Sequence, residues 1–288
     1  MKLKKLALFL AIFIFIILLA SCAPKDAGED AEKDVDPVRV TFYGLDKADA
    51  TLITLPDGRR ILIDAGRNKD GKRLAERFEE EGIENLDVLI VTHFDKDHVG
   101  GADQILKAVD VSRVIMPSYE EDSGQYKEFL EALEQSVETQ VDIMGAEERL
   151  ELPYSDVRVS VTSAHKTFYG DNESNDFSLA VRLCYGDTRF LFPGDAEEAR
   201  QMELLAEGDV ACDVLKLPHH GRLHDTSSSF IRAASPAIAF VPEGKDNPAD
   251  PTVLSLLELV HAQVYSSLDG DLTVVSDGKT VRAEKQYP

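Results

Sequence analysis

The segment spanning residues 88–101 constrains the fold of this chain more than any other part of the sequence. It begins with the apolar run 88–91, which predicts a buried β-strand. Imidazole and carboxylate groups follow within six residues, and together they suit a divalent ion such as zinc, manganese or iron. These potential ligands are His93, Asp95, Asp97 and His98. The segment therefore predicts a metal site at the carboxyl end of a buried strand, where α/β proteins place functional sites.

Two later strand ends carry further side chains of the same type. Asp195 follows the apolar run 190–192 after a Pro-Gly pair, and His219 and His220 follow the run 214–217. An aspartate in such a position could simply cap the next helix, and a histidine pair in a loop is a modest signal by itself. Because functional groups at the ends of neighbouring strands converge in space, three such ends together favour one composite site.

The remaining periodicity predicts an α/β domain. Helical spacing of apolar residues is found at residues 71–81, 102–109, 125–137, 197–207, 230–234 and 253–261. Strand-like runs alternate with these stretches, and hairpins are expected near both ends of the region that begins at residue 38. This order predicts two sheets with helices outside them, which is a four-layer αβ/βα sandwich.

The N-terminus is expected to direct export rather than to join the fold. Three lysines at positions 2, 4 and 5 precede the apolar run 6–20, which is the layout of a secretory signal. The sequence Leu-Ala-Ser-Cys that ends at Cys22 resembles the lipobox of bacterial lipoproteins. Residues 1–21 are therefore predicted to be a lipoprotein signal peptide and Cys22 the lipidated residue, with an uncleaved membrane anchor as the alternative.

Residues 22–37 are acidic and contain few apolar side chains, so we expect a disordered tether there. The protein is thus expected to be exported and held by lipid on the outside of the cell membrane. Cys184 and Cys212 leave two alternatives open, a disulfide or two buried thiols.

The mature chain is expected to be strongly acidic. The full sequence has 31 basic and 53 acidic side chains, and removing the three leader lysines leaves 28 basic ones and a formal charge of −25. Such a surface repels polyanions at long range and lacks the cations that neutralise phosphates. The charge therefore disfavours nucleic acid as a partner without excluding it. The sequence does not indicate an oligomeric state.

Taken together, these segments resemble the metallo-β-lactamase superfamily. Its hallmark is a His-x-His-x-Asp-His loop, then a bridging Asp and a late His; here Asp95 stands in place of the second His of the loop. That replacement is similar to the hydrolase domain of ComEC-type competence proteins, and the likeness extends over residues 38–288. The sequence departs from the pattern of that family in two places. Lys47 lies in a stretch that is usually Gly-Gln-Gly-Asp in the family. Arg222 stands where a serine is expected after His-His-Gly.

The resemblance implies two divalent ions, zinc or manganese. His93 and Asp95 would hold one ion, and Asp195 would bridge it to the second. The second ion would be held by Asp97, His98 and His220. The resemblance also implies that Asp97 and Asp195 take part in catalysis together with His219, which is expected to contact phosphate or to act as an acid.

The middle histidine ligand of the superfamily is missing from its usual place. The candidates for that position are His165, Asn175 and Asp176. Asp64 and Asp49 are expected to support the ligand loop rather than to bind metal.

The function that the resemblance implies is a metal-dependent hydrolase that cleaves a phosphodiester or related ester with a metal-bound hydroxide at the cell envelope. Its expected partners are a phosphoester-type substrate and the membrane. One alternative is an extracellular nuclease linked to DNA uptake. Another, from a different class, is a lipid-anchored metal- or ligand-binding protein with a weakened catalytic site.

Overall fold

A computed structural model describes residues 36–154, 156–170 and 174–285. The predicted signal peptide, Cys22 and most of the predicted tether lie outside these residues. The described part forms one compact unit with two large mixed sheets, one of eight strands and one of seven. A small two-stranded sheet joins β4 (Asn85–Leu86) to β6 (Asp110–Val111).

The eight-stranded sheet consists, in spatial order, of β17 (Val281–Lys285), β16 (Leu272–Ser276), β1 (Val38–Phe42), β2 (Thr51–Thr54), β3 (Arg60–Ile63), β5 (Val88–Ile90), β7 (Arg113–Pro117) and β8 (Gln140–Met144). The seven-stranded sheet consists of β15 (Gln263–Ser266), β14 (Ile238–Val241), β13 (Val214–Lys216), β12 (Thr188–Phe192), β11 (Ala180–Tyr185), β10 (Val157–Thr162) and β9 (Arg149–Leu152).

Six α-helices lie within the described residues: α1 (Asn68–Glu80), α2 (Ala102–Ala108), α3 (Gly124–Gln135), α4 (Glu198–Glu207), α5 (Ser227–Ala234) and α6 (Pro251–Leu259). Three short 3-10 turns also occur there, at Ser174–Phe177, Pro218–Gly221 and Ser267–Asp269.

Three apolar clusters define the layers. The central cluster joins side chains of both sheets, and in it the ring of Phe42 from β1 stacks on that of Phe240 from β14 at 4.8 Å. A second cluster covers the other face of the eight-stranded sheet with helices α1 to α3, and a third covers the seven-stranded sheet with α4 to α6. Each large apolar side chain buried in this way contributes roughly 1.5–3 kcal/mol to folding. The four-layer αβ/βα sandwich expected from the sequence is therefore confirmed.

Parallel strands place the functional loops at one edge of each sheet. Strands β3, β5, β7 and β8 are parallel, and so are β12 to β15. The loop with the predicted ligands leaves the end of β5, while Asp195 follows β12 and the histidine pair follows β13. Loops from adjacent parallel strands leave the same edge, so the topology brings these groups together.

Two edge strands, β8 and β9, were not expected from the sequence. In β8 the two β-branched residues, Val141 and Ile143, are 39% and 57% exposed, so the apolar side chains do not mark a buried face. Helix α1 begins earlier than its apolar spacing indicates, because Asp70 in its first turn accepts the backbone N–H of Arg67. Cys184 and Cys212 are free thiols. Across the described residues, no helix is long and apolar enough to cross a membrane.

Candidate metal centre

Four buried donor groups meet at the shared edge of the sheets. One ligand atom from each of Asp49, His98, Asp195 and His220 lies within 4.8 Å of the other three. The Oδ2 atom of Asp195 is 3.2 Å from Nε2 of His98 and 2.9 Å from Nε2 of His220. Oδ2 of Asp49 is 3.4 Å from Nε2 of His98. The cluster thus offers two imidazole nitrogens and two carboxylates to one small volume.

The backbone that carries the histidine pair is strained. His219 and His220 have φ angles of 44° and 54°, in the left-handed region that non-glycine residues rarely occupy. Each such residue costs on the order of 1–3 kcal/mol and persists only where its surroundings hold it. For His220 one such restraint is the hydrogen bond between its Nδ1 and the carbonyl oxygen of Pro242, at 2.8 Å.

Two further contacts orient the ring of His98. Asp64 accepts hydrogen bonds from the backbone N–H and the hydroxyl of Thr92, and its Oδ2 lies 2.8 Å from Nδ1 of His98. An imidazole that donates from Nδ1 to an oxygen keeps the lone pair of a neutral ring on Nε2. Both histidines of the cluster therefore direct Nε2 toward Asp195. Asp64 thus contacts a histidine of the cluster from outside it, whereas Asp49, which was expected only to support the ligand loop, is one of its four members.

Several donor atoms of this centre lack an aligned hydrogen bond. Nε2 of His93, His98 and His220 and Oδ2 of Asp49 are buried, and none has a hydrogen bond of acceptable geometry. The short distances between these imidazole nitrogens and Asp195 are those of ion pairs. An unpaired buried polar group costs about 1–3 kcal/mol. Imidazole nitrogens and carboxylate oxygens that converge on one buried volume fit a divalent cation.

A buried lysine contributes charge to the same centre. The ammonium of Lys216 donates to the carbonyl oxygen of Gly194 at 2.8 Å and to Oδ1 of Asp195 at 3.1 Å, and it lies 2.7 Å from Oδ2 of Asp49. Only 3% of this residue is exposed. The ammonium thus hydrogen bonds to Oδ1 of Asp195, while Oδ2 of Asp195 faces His98 and His220.

The clustered charges shift the pKa values of these groups. Burial by itself would lower the pKa of His220, but Asp195, Asp97 and Asp49 raise it to about 9. The pKa of His98 is likewise raised well above its ordinary value, against burial, by Asp195, Asp64 and Asp49. For Asp195 burial acts to raise the pKa, yet His220, His98 and Lys216 hold it well below the usual range.

The rest of the predicted ligand loop lies beside this cluster. Oδ2 of Asp97 is 3.5 Å from Nε2 of His220 and 3.0 Å from the ammonium of Lys47. The ring of His93 packs 4.1 Å from that of His98, and burial together with the His98 charge lowers the His93 pKa to about 4. Asp95 accepts a 2.6 Å hydrogen bond from the hydroxyl of Ser174.

The three candidates for the missing middle ligand have other partners. Oδ1 of Asp176 accepts the backbone N–H groups of Glu197 and Arg200, so Asp176, and not Asp195, provides the cap at the start of helix α4. His165 lies 3.1 Å from Oε1 of Glu207 on that helix. The side-chain amide of Asn175 contacts Oε1 of Glu197 at 2.8 Å. None of the three lies in the four-residue cluster.

A second cluster adjoins the first. Nδ1 of His219 lies 3.0 Å from Oε1 of Glu197 and 3.1 Å from Nε2 of His224. The hydrogen bond to His219 lowers the pKa of Glu197 to about 2, although burial opposes it. From the sequence, His219 was assigned to substrate, and His224 was expected to be either a substrate-loop residue or a solvated one.

A cavity of about 530 Å³ opens beside the centre. Asp95, Asp97 and Lys47 line it, and so do Tyr119 and Phe177, whose rings stack at 4.6 Å. The cavity gives a small ligand access to the ligand loop.

Sequence reasoning missed the roles of Lys216, Lys47 and Glu197. Lys216 offered a signal, because a lysine inside a buried strand that leads to a histidine pair needs an anionic partner. Lys47 stood out only as a departure from the family pattern. Nothing in the sequence near Glu197 indicates that it reaches His219.

This chain belongs to the metallo-beta-lactamase superfamily, whose sequence profile matches residues 43–242. It is 28% identical over 226 residues to ComE operon protein 3 of Bacillus subtilis (72% of this chain, 28% of the relative). It is 29% identical over 217 residues to Recombination protein 2 of Haemophilus influenzae (74% of this chain, 25% of the relative). The chain thus spans only about a quarter of the length of these curated relatives.

Solved structures share the fold at low sequence identity. The metallo-beta-lactamase fold protein YhfI from Bacillus subtilis aligns with a TM-score of 0.56 and 14% identity, covering 84% of this chain and all of that one. Yeast PDE1 aligns with a TM-score of 0.51 and 10% identity, covering 82% of this chain and 99% of that one. At such identities the likeness concerns the fold alone.

Proposed function

We propose that this protein is a metal-dependent hydrolase that cleaves a phosphodiester or a related ester. The observation that carries the proposal is the convergence of buried donor atoms from Asp49, His98 and His220 around Oδ2 of Asp195. Membership of the metallo-beta-lactamase superfamily supports a hydrolytic use for such a centre.

A divalent ion held by Asp49, His98, Asp195 and His220 would supply the Lewis acidity that ester hydrolysis needs. The protein groups around it hold the ligands in place. Asp64 fixes the ring of His98, the carbonyl of Pro242 fixes that of His220, and Lys216 offsets the charge of two buried carboxylates. This arrangement needs little rearrangement when the ion binds, which is a general requirement of an efficient site.

The cavity beside Asp97 is the proposed substrate entrance. Lys47 and Lys96 line it and can attract an anionic ester, while the Tyr119–Phe177 wall can contact an apolar group. We assign His219 to the same substrate, because its Nδ1 is held by Glu197 and it lies next to His220 in the strained turn. His219 would donate a hydrogen bond to the phosphate or act as an acid.

The charge of the protein supports a small diester over polymeric DNA. A formal charge of −22 for the full sequence slows the approach of a polyanion and makes it dependent on salt. The curated relatives carry the names of competence and recombination proteins, which favours a nuclease linked to DNA uptake as the second candidate. The matched segment is only about a quarter of each of those relatives, so their names bear on this chain only as a proposal.

A weakened centre is the candidate from a different class. Lys216 takes one oxygen of Asp195, and Asp95 replaces a histidine of the superfamily loop while hydrogen bonding to Ser174. Both features reduce the donors available to a second ion. They favour a protein that binds a metal or ligand without turnover.

We further propose that the protein acts outside the cell membrane, attached through lipidated Cys22. The basic and apolar leader before Leu-Ala-Ser-Cys supports this location.

The test is a set of hydrolysis assays on the full-length protein with zinc or manganese. The substrates are bis-p-nitrophenyl phosphate, single-stranded DNA and a lactone, and the control is Asp195→Asn. Hydrolysis of the small diester that is lost in Asp195→Asn supports the proposal. Metal binding without hydrolysis of any of the three would favour the binding protein instead.

A further inference from the structure

The cluster of Glu197, His219 and His224 has the composition of a cation site separate from the first centre. It offers one carboxylate oxygen and two imidazole nitrogens, all within 4.8 Å of one another. The ring of His219 is centred 6.1 Å from that of His220, which belongs to the first cluster. The two sets of donors share no residue.

The distances within this cluster match those between ligands on one ion. With metal–ligand bonds of about 2.0–2.2 Å, two ligands of a tetrahedral zinc are about 3.3–3.6 Å apart. Nδ1 of His219 lies 3.0 Å from Oε1 of Glu197 and 3.1 Å from Nε2 of His224. A modest expansion of these distances would admit the ion.

Hydrogen bonding alone satisfies the cluster poorly. Nδ1 of His219 can carry at most one hydrogen, yet two acceptor-type atoms lie at hydrogen-bond distance from it, Oε1 of Glu197 and Nε2 of His224. If His224 donates the hydrogen instead, the lone pair of His219 faces the Glu197 carboxylate. A cation between the three donors removes this conflict.

The amide of Asn175 supplies an independent observation. One of its terminal atoms lies 2.8 Å from Oε1 of Glu197, while the amide oxygen is buried without a hydrogen-bond partner. The oxygen and nitrogen of an amide exchange places by a simple rotation. After that rotation the oxygen would face Glu197, where it is favourable only if a cation lies between the two oxygens. Asn175 is then the fourth donor, and its N–H₂ takes the position where the oxygen has no partner.

The backbone holds the donors in position before any ion binds. The N–H of Glu197 is bonded to Asp176, and the N–H of His224 donates to the hydroxyl of Ser227 at 2.9 Å. His219 is fixed in the strained turn. Preorganised donors lose little conformational freedom on binding, which favours affinity.

We propose that Glu197, His219 and His224, with Asn175 as a fourth donor, bind a divalent cation of the zinc class. Two imidazoles and two oxygens form a donor set that suits zinc. A cation on Nδ1 of His219 leaves the hydrogen of that ring on Nε2. It also adds positive charge beside the first centre, where an anionic ester would approach.

The experiment counts zinc bound per chain. Full-length protein is stripped with a chelator and dialysed against zinc, and its metal content is measured by plasma mass spectrometry. The variants are His224→Ala and the isosteric Glu197→Gln, with Asp195→Asn to disable the first centre. His261→Ala removes a histidine outside both clusters and is the matched control. Thermal melting checks that each variant is folded.

The expected result is that His224→Ala and Glu197→Gln each hold one zinc fewer than the wild type and His261→Ala. Asp195→Asn should retain the zinc of this cluster, and adding His224→Ala to it should remove that zinc. The proposal is overturned if folded Glu197→Gln and His224→Ala keep the wild-type zinc content. It is equally overturned if Asp195→Asn binds no zinc, because the cluster then has no affinity of its own.

Discussion

Asp64→Asn is expected to weaken metal binding without unfolding the domain. Oδ1 of Asp64 accepts the backbone N–H of Thr92, and Oδ2 contacts the hydroxyl of Thr92 and Nδ1 of His98, each at 2.8 Å. Asparagine can keep the first bond through its oxygen. It then places an amide N–H₂ opposite Nδ1 of His98, so that two donors face each other. Residue 64 has a φ of 57°, which asparagine tolerates better than most residues.

The expected magnitude follows from this change in hydrogen bonding. To accept from the amide, His98 must move its hydrogen from Nδ1 to Nε2, which removes the lone pair that faces Asp195. Replacing such supporting partners of metal ligands typically costs 10–100-fold in affinity. This corresponds to about 1.4–2.8 kcal/mol of binding free energy.

The assay is a competition for zinc between the protein and a chromophoric chelator at pH 7. Asp103→Asn is the matched control, because Asp103 is also buried but bonds to Gln104 and Lys107 away from the centre. The control should bind zinc like the wild type. A zinc affinity of folded Asp64→Asn within threefold of the wild type would refute the reasoning.

Four further outcomes are expected. Asp195→Asn should abolish diester hydrolysis and lower zinc content, and full activity without bound metal would contradict this. Burial alone would lower the pKa of His220, but nearby carboxylates raise it to about 9 in the metal-free protein, so zinc binding should release protons. Apparent zinc affinity should then rise from pH 7 to pH 9, which calorimetry can test. Protonated His220 stabilises the metal-free protein fully below about pH 6.5, and this stabilisation should be lost as the pH rises through 9, which melting curves can test. Flat pH profiles of affinity and stability would count against these predictions. Mass spectrometry should find an acylated Cys22, and Cys22→Ser should lose membrane retention; unchanged retention and processing would exclude lipidation. Cleavage of DNA should be slower than that of a small diester and strongly salt-dependent, and equal rates at low and high salt would overturn the charge argument.

Much of the fold was predictable because its strands are buried and end in chemically distinctive loops. Apolar runs such as residues 188–192 and 272–276 match the observed strands, and their order specifies the layers. Edge strand β8 was not predictable, because its apolar side chain Ile143 is exposed and the strand is defined by its backbone pairing with β7. Local pattern carries no information about such pairing partners.

The site was predictable where ligands follow a strand and unpredictable where a contact joins distant segments. The family pattern pointed to His98, Asp195 and His220, which the structure brings together. Asp49 joins them because the β1–β2 connection reaches the same edge, 49 residues before His98 in the chain. Asp176 has a carboxylate at the expected place in the sequence, but that carboxylate accepts two backbone N–H groups at the start of helix α4 and so acts as its cap. Such competition between a ligand and a capping role is decided only by tertiary structure.

The central claim is that Asp49, His98, Asp195 and His220 hold a divalent ion. An anomalous difference map, recorded at the zinc edge from crystals of zinc-loaded protein, tests it most directly. The expected result is a peak about 2.0–2.2 Å from Nε2 of His98, Nε2 of His220 and a carboxylate oxygen of Asp195. A map from zinc-saturated crystals without a peak between these atoms would show that these residues do not hold the ion.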